Sequence, residues 1–285
     1  MGGFRTVGEL VDAESSARNY AWRKIPNQVT TIGIWFDLSM SAGNPPPKFW
    51  FDATPLTSKI IAQSLDGGIF HGGNVAPKTK YLRKTTAMTA VATAAPLPMI
   101  LCDYLMYYPT IGEDTTDEQF LTNTATLPRY TDGEGVQCLA ISVAARTGGQ
   151  TFTIKYTNSQ GVSGRISPMV MQNTVSVIGS IVTSERQGAL YSGAFMPLQA
   201  GDTGIRYIES VTMNGVDVGL FSLVLVKPLG DMMIRGNDAP VEVDWFLDKK
   251  EIPIIQDDAY LSWLCMPNFS LSNSPIIGTI KTITK

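Results

Sequence analysis

Four carboxylates, Glu113, Asp114, Asp117 and Glu118, fall within one short run, the first place to look for calcium binding or acid–base chemistry. An EF-hand loop spaces its ligands around an invariant glycine, and no glycine punctuates this run. A hydrolase pair such as Glu113 and Asp117 has to straddle a cleft with its two pKa values driven apart. Neighbours on one loop do not meet that requirement, so the run reads as a solvated loop or a short helix starting at Thr116. His71 is the single histidine and lies among Gly67-Gly68 and Gly72-Gly73. It has no second imidazole for a metal and no serine or cysteine nucleophile beside it. The stretch also lacks the Gly-Lys-Ser/Thr of a phosphate loop and any GxGxxG, so His71 reads as a loop residue. Cys102, Cys138 and Cys265 are far apart in apolar contexts, and an odd number cannot all pair within the chain, so they read as buried free thiols. Asp103, alternating with apolar neighbours, reads as a buried carboxylate that ties down a turn. No catalytic, metal or cofactor set emerges, and a non-enzymatic protein is expected.

Composition narrows the partners. The net charge is −3 and 16% of residues are charged, against roughly 25% in an average soluble domain. Much of the surface must then be neutral and polar or be covered by other chains, which suits a subunit of an assembly. Nucleic-acid binding needs clustered cations, and no Lys/Arg-rich stripe is present. The apolar stretch 94–106 is broken by Pro96, Pro98 and Asp103, short of the ~20 uninterrupted residues of a membrane span. Met1-Gly2-Gly3-Phe4-Arg5 leads into no apolar signal core. A soluble protein made in the cytoplasm is expected.

Period-two alternation supplies the elements that must position any site. Strands are expected at 101–108, 137–143, 151–157, 175–182, 205–213 and 219–226, with further ones at 85–95, 241–247, 259–266 and 276–284. The 219–226 run is the most continuously apolar and should be a central strand covered on both sides. Gly148-Gly149 and Asn214-Gly215 read as hairpin turns, the first joining a hairpin over 137–157. Thr6 with Glu9 forms a capping box, predicting a helix over 7–18. Between Tyr20 and Thr57 the chain is dense in aromatics and prolines, and Pro45-Pro46-Pro47 cannot be interior strand. Two strands, 30–39 and 48–53, joined by a rigid loop are expected there. Trp22, Trp35, Phe36, Phe49, Trp50 and Phe51 are either core or an adhesive arm, and are the candidate interface residues. Asp248-Lys249-Lys250-Glu251 reads as a solvated turn.

Many short strands with frequent turn signals predict an all-β antiparallel β-sandwich, jelly-roll-like, at 85–230. Segment 1–84 would form an N-terminal helix and extended arm. Segment 231–285 would supply flanking strands that pack on the arm or the sandwich.

The runs Trp35-Phe36-Asp37-Leu38-Ser39, Asn44-Pro45-Pro46-Pro47-Lys48-Phe49-Trp50-Phe51-Asp52-Ala53 and Thr126-Leu127-Pro128-Arg129-Tyr130-Thr131-Asp132-Gly133 resemble pieces of a family of tailed-bacteriophage virion structural proteins. Gln199-Ala200-Gly201-Asp202-Thr203-Gly204 and Pro275-Ile276-Ile277-Gly278 are similar in the same way. The resemblance implies a virion component, a head decoration or cement protein that bridges capsid subunits. Its partners would be the major capsid protein and copies of itself, as a trimer by analogy with capsid geometry. Two other classes remain open. A tail, neck or collar protein would bind a receptor or glycan through Tyr107, Tyr108 and Tyr191, and a cell-wall hydrolase would use Glu113 and Asp117.

Overall fold

A computed structural model describes residues 3–4, 6–184, 191–237, 239–249 and 252–285. Among them, nine strands reach six residues or more. They are β1 (Arg18–Ile25), β2 (Lys80–Thr89), β3 (Leu97–Gly112), β4 (Gln137–Ser142), β5 (Thr151–Asn158), β6 (Ile205–Met213), β7 (Leu220–Ile234), β8 (Tyr260–Cys265) and β9 (Ile276–Thr284). All pairings between these strands are antiparallel, and the protein is an all-β sandwich built from three sheets. A jelly roll has two.

The central sheet runs Phe36–Asp37, β8, β3, β7, β4. A first flanking sheet runs Val241–Asp244, β2, β9, β1, Ala42–Asn44, and a second runs Arg165–Ile166, β5, β6, Gln119–Phe120. The two longest strands, β3 and β7, pair from Leu97↔Ile234 to Gly112↔Leu220 with three bulges, and bulges bend and twist a ribbon. One end of one face, with Leu97, Met99, Leu101, Met232 and Ile234, packs on the first flanking sheet through Trp22, Leu82 and Ile280. The other end, with Leu105, Tyr108, Phe221, Leu223 and Leu225, packs on the second through Phe152, Ile154, Ile208 and Val211. The opposite face, with Cys102, Tyr104, Leu139, Val224 and Val226, is covered by Met40, Trp50, Ile61 and Ile181 from long connections. β7 is therefore the doubly covered central strand that its composition predicts.

The helix is Val7–Glu14, capped by Thr6 Oγ1 accepting from Glu9 N at 3.2 Å. It ends before Arg18, where β1 begins, and docks Leu10 and Ala13 on Tyr81 and Ile283. Segments 1–84 and 231–285 enter the same sheets as the middle of the chain, and residues 84/85 and 230/231 lie inside β2 and β7.

Both expected hairpins are corrected. β4 pairs with β7, whereas β5 pairs with β6, so Gly148-Gly149 carries the chain from the central sheet to the second flanking sheet. Asn214-Gly215 makes the reverse crossing from β6 to β7. Gly148, at φ 69°, lies so close to Asn173 O that a Cβ would sit 2.0 Å away. A third crossing leaves β3 through the acidic loop, and a buried ion pair staples all three. Arg146 Nε donates to Glu113 Oε1 at 2.8 Å with both side chains fully enclosed, and Asp217 N donates to Glu113 O at 2.6 Å. No helix starts at Thr116. The 175–182 segment makes isolated bridges only, at Ser180 and Ile181. Segment 30–39 reduces to Phe36–Asp37 and a short 3-10 turn, and 48–53 forms no strand. Lys250 and Glu251 of the expected charged turn lie outside the described residues.

Candidate functional site

The aromatic–proline segment is organised by two buried charges. Lys24 lies two residues after Trp22 on β1, on the same inward face, and is 2% exposed. Its ammonium donates to the carbonyls of Ser39 (3.3 Å), Ser41 (3.1 Å), Pro45 (3.0 Å) and Pro46 (3.5 Å). Prolines cannot donate to a ladder, and here the carbonyls of the run turn inward onto a cation. Burial draws Lys24 down to about 8, and the charge of Asp37 opposes that pull.

Asp37 is the second anchor. Its Oδ1 accepts from Ser39 N (2.9 Å) and Tyr104 OH (2.8 Å), and its Oδ2 accepts from Trp50 Nε1 (2.7 Å) and Ser39 Oγ. Burial pushes this carboxyl up, and the donors from Ser39, Trp50 and Tyr104 draw it back. Trp50 is fully buried, stacked on Tyr104 with centroids 5.5 Å apart and edge-on to Tyr260 at 5.9 Å. Ser222 Oγ donates to Trp50 O at 2.8 Å and Tyr107 OH donates to Phe51 O at 3.2 Å, so the short run is held extended.

With Trp50 inward, alternation sends its neighbours outward. Phe49 and Phe51 are 47% and 46% exposed and stack on each other at 6.1 Å. The ion pairs Lys48–Asp66 (2.6 Å) and Lys59–Asp52 (3.1 Å) tie this run to residues 59–66. Exposed Ile60 and Leu65 lie on the tied segment. The result is a fixed pair of aromatic rings beside two ion pairs, an arrangement that can dehydrate against a partner at little entropic cost.

Of the six expected interface aromatics, Trp22, Phe36 and Trp50 are core residues, 1%, 2% and 0% exposed. Their rings fill the space over the central sheet, so the segment is folded onto the sandwich and is not a free arm. Trp35 is half-buried against the third core. Only Phe49 and Phe51 face outward.

The other candidates fall apart as sites. Glu113 is enclosed with Arg146 while Asp117 is exposed, so the two share no cleft. Burial pushes Glu113 up and Arg146 opposes it. Tyr107 and Tyr108 are buried and Tyr191 is 55% exposed, so these rings form no glycan platform. The thiols are free and buried, and burial raises all three well above their usual range. Among the described residues, no His, Cys, Asp and Glu cluster could hold a metal, and no helix is long and apolar enough to cross a membrane.

His71 is not a plain loop residue. It is fully buried, with Nε2 2.8 Å from Ala259 O and Nδ1 3.1 Å from Lys80 Nζ. An ammonium can only donate, so Nδ1 accepts and Nε2 carries the proton. Burial, then the charge of Lys80, pulls His71 down to about 4. Sequence reasoning also missed Lys24, because one lysine in a strand gives no periodic signal; the facing proline run was the only clue.

No family model matches the chain, and no curated protein matches it. Among solved structures, the crystal structure of the infectious bursal disease virus VP2 subviral particle aligns with a TM-score of 0.10 and 7% sequence identity, covering 94% of this chain and 78% of that chain. A score that low carries no argument.

Proposed function

We propose that this chain is a structural component of a tailed-phage virion, a decoration protein that bridges capsid subunits by non-covalent contact through the Phe49–Phe51 surface. The observation that carries the contact surface is the exposed, stacked ring pair on a base fixed by Trp50 and Asp37. The phage assignment is supported by the sequence resemblance, which includes the Pro-Pro-Pro-Lys-Phe-Trp-Phe run itself. The low proportion of charged residues fits a surface covered by neighbours.

Localisation in intact particles by electron microscopy tests the reading. Many symmetry-related copies over the head shell, with Phe49 and Phe51 at the contact, are expected. A few copies confined to the tail or neck would overturn the decoration role. A contact made elsewhere would overturn the surface assigned here.

A further inference from the structure

We propose that the cleft between the start of β1, the end of β9 and the 71–75 loop binds a small tetrahedral oxyanion of the phosphate type. The inner face of the first flanking sheet continues here past the hydrophobic core. Trp22 and Ile280 belong to the core, and beyond them the same face carries Arg18 and Tyr20 from β1 and Thr282 and Thr284 from β9. Arg18 and Thr282 are cross-strand partners, and Lys80 faces Thr284 in the next strand pair. The cleft measures about 280 Å³, below the roughly 300–1,000 Å³ that drug-sized ligands occupy, so the ligand is small.

Its polar groups converge without partners. Thr282 is 3% exposed and lines the cleft, yet its hydroxyl makes no hydrogen bond among the described residues. The hydroxyls of Tyr20 and Thr284 also make none there. Among the described residues, the Arg18 guanidinium has no ion pair and one hydrogen bond, to its neighbour Ala17 O at 2.8 Å. Arg18 is exposed and Tyr20 and Thr284 are half-buried, so these donors stand open at the cleft wall, free to meet an acceptor that enters it.

The charge has the matching sign. Lys80 lies beneath, 2% exposed, with its donors committed to His71 Nδ1 (3.1 Å), Gly73 O (2.8 Å) and Gly72 O (3.3 Å). It supplies positive field and no hydrogen bond. His71 is neutral at neutral pH and adds no charge. Among the described residues, no carboxylate side chain lines the cleft. The nearest to Lys80, Asp257, is 4.0 Å from the ammonium and accepts from Val75 N at 3.2 Å, so it only partly offsets the field. Arg18 forks onto the oxygens, and three hydroxyls complete the shell.

The test is a thermal-melt titration of the full chain with inorganic phosphate against sodium chloride at matched ionic strength. Arg18→Gln and Thr282→Val are the site variants. Arg23→Gln is the control, exposed on the other face of the same strand. The wild type should show a saturable rise in Tm that Arg23→Gln keeps. Arg18→Gln should weaken the apparent affinity about tenfold or more, the worth of a charged hydrogen bond, and Thr282→Val should weaken it by a smaller factor. A glycerol monophosphate arm separates the two sources of this chemistry. Binding of inorganic phosphate alone assigns a free ion, and binding of the ester assigns an esterified phosphate; either supports the site. No saturable rise, or an equal response in Arg18→Gln and Arg23→Gln, overturns it.

Discussion

Acidification should cost this protein stability through His71, by an amount that follows from its surroundings. The ring is fully enclosed, and burial and then Lys80 hold it at about 4 against an ordinary 6.5. Between those two values the unfolded chain binds a proton that the folded chain refuses, so stability falls as pH drops through the window. At about 1.4 kcal/mol per pH unit, the contribution is about 2 kcal/mol lost by pH 5 and about 3 kcal/mol once pH is below 4. Asp103 works the other way. Burial first, against Arg129, raises it to about 6 from 3.8, so the folded chain takes up its proton before the unfolded chain does and stability gains as pH falls. Glu113, raised by burial, has the same sign. The wild-type profile alone therefore mixes opposed terms, and the comparison with His71→Gln isolates the imidazole. Urea unfolding followed by tryptophan fluorescence at a series of pH values gives both profiles, provided the m-value holds constant. The two should converge on acidification, with the wild type losing about 2 kcal/mol more than the variant by pH 5. Parallel profiles would refute the argument, because a histidine free to protonate in the folded state carries no such linkage.

Trp50→Ala should lower stability by about 3–5 kcal/mol, since it empties a ring site over the central sheet and removes a donor from Asp37. Replacing Phe49 and Phe51 together by serine should change stability by less than about 1 kcal/mol yet abolish particle binding in co-sedimentation. Glu113→Gln or Arg146→Met should each cost about 3–5 kcal/mol in denaturant unfolding, because each strands a buried charge, whereas Glu113→Leu with Arg146→Met should cost less than either. Lys24→Met should cost about 3 kcal/mol in the same assay, as buried carbonyls of the 39–46 loop lose their donor. A thiol reagent should find no reactive cysteine in the folded protein and three after unfolding.

The strands were legible because alternation fixes which residues face a core, as in the runs within β3 and β5, and because β7 opens on the most continuously apolar run of the chain. Their partners were not. Glycine at positive φ is needed wherever the chain turns sharply, whether it returns along the same sheet or crosses to another, so Gly148-Gly149 and Asn214-Gly215 read alike in both cases. The free edge of β4 decides the first. Ser142 N donates to Ser180 O, Val182 N to Ala140 O and Met196 N to Cys138 O, so that edge is occupied by Ser180, Val182 and Met196 and has no place for β5. These contacts join residues about forty to sixty positions apart, and no local pattern encodes them. Asp103 was legible as a buried carboxylate that ties down a turn, since it sits among apolar neighbours on a strand. It accepts from Arg129 Nε and Nη2 at 2.8 and 2.7 Å and so holds the 127–130 turn. The aromatic segment 34–53 was half legible. Its rings were visible, but which of them point inward depends on Asp37 and Lys24, whose bonds are made by side chains and leave no periodicity.

The enclosed charges share one kind of location. Lys24 and Asp37 fix the covering segment to the central sheet, and Arg129–Asp103 anchors a turn where the two flanking sheets part company. Glu113–Arg146 staples the three crossings, and Arg83, between Glu14 and Asp244, joins the helix to the first flanking sheet. Each fixes an irregular connection or the helix, whose path pairing between strands does not dictate. A ladder specifies its own neighbours through repeated hydrogen bonds, whereas an irregular connection has to be specified by a few strong, directional contacts. An apolar pair of equal volume would fill the same space with little loss of stability, but it would not distinguish the right loop from another that also offers apolar surface. In a chain with so few charged residues, placing them at these joints assigns them to selecting one topology among several that the same strands could form, and leaves the outer surface free to be neutral, aromatic and available for contact.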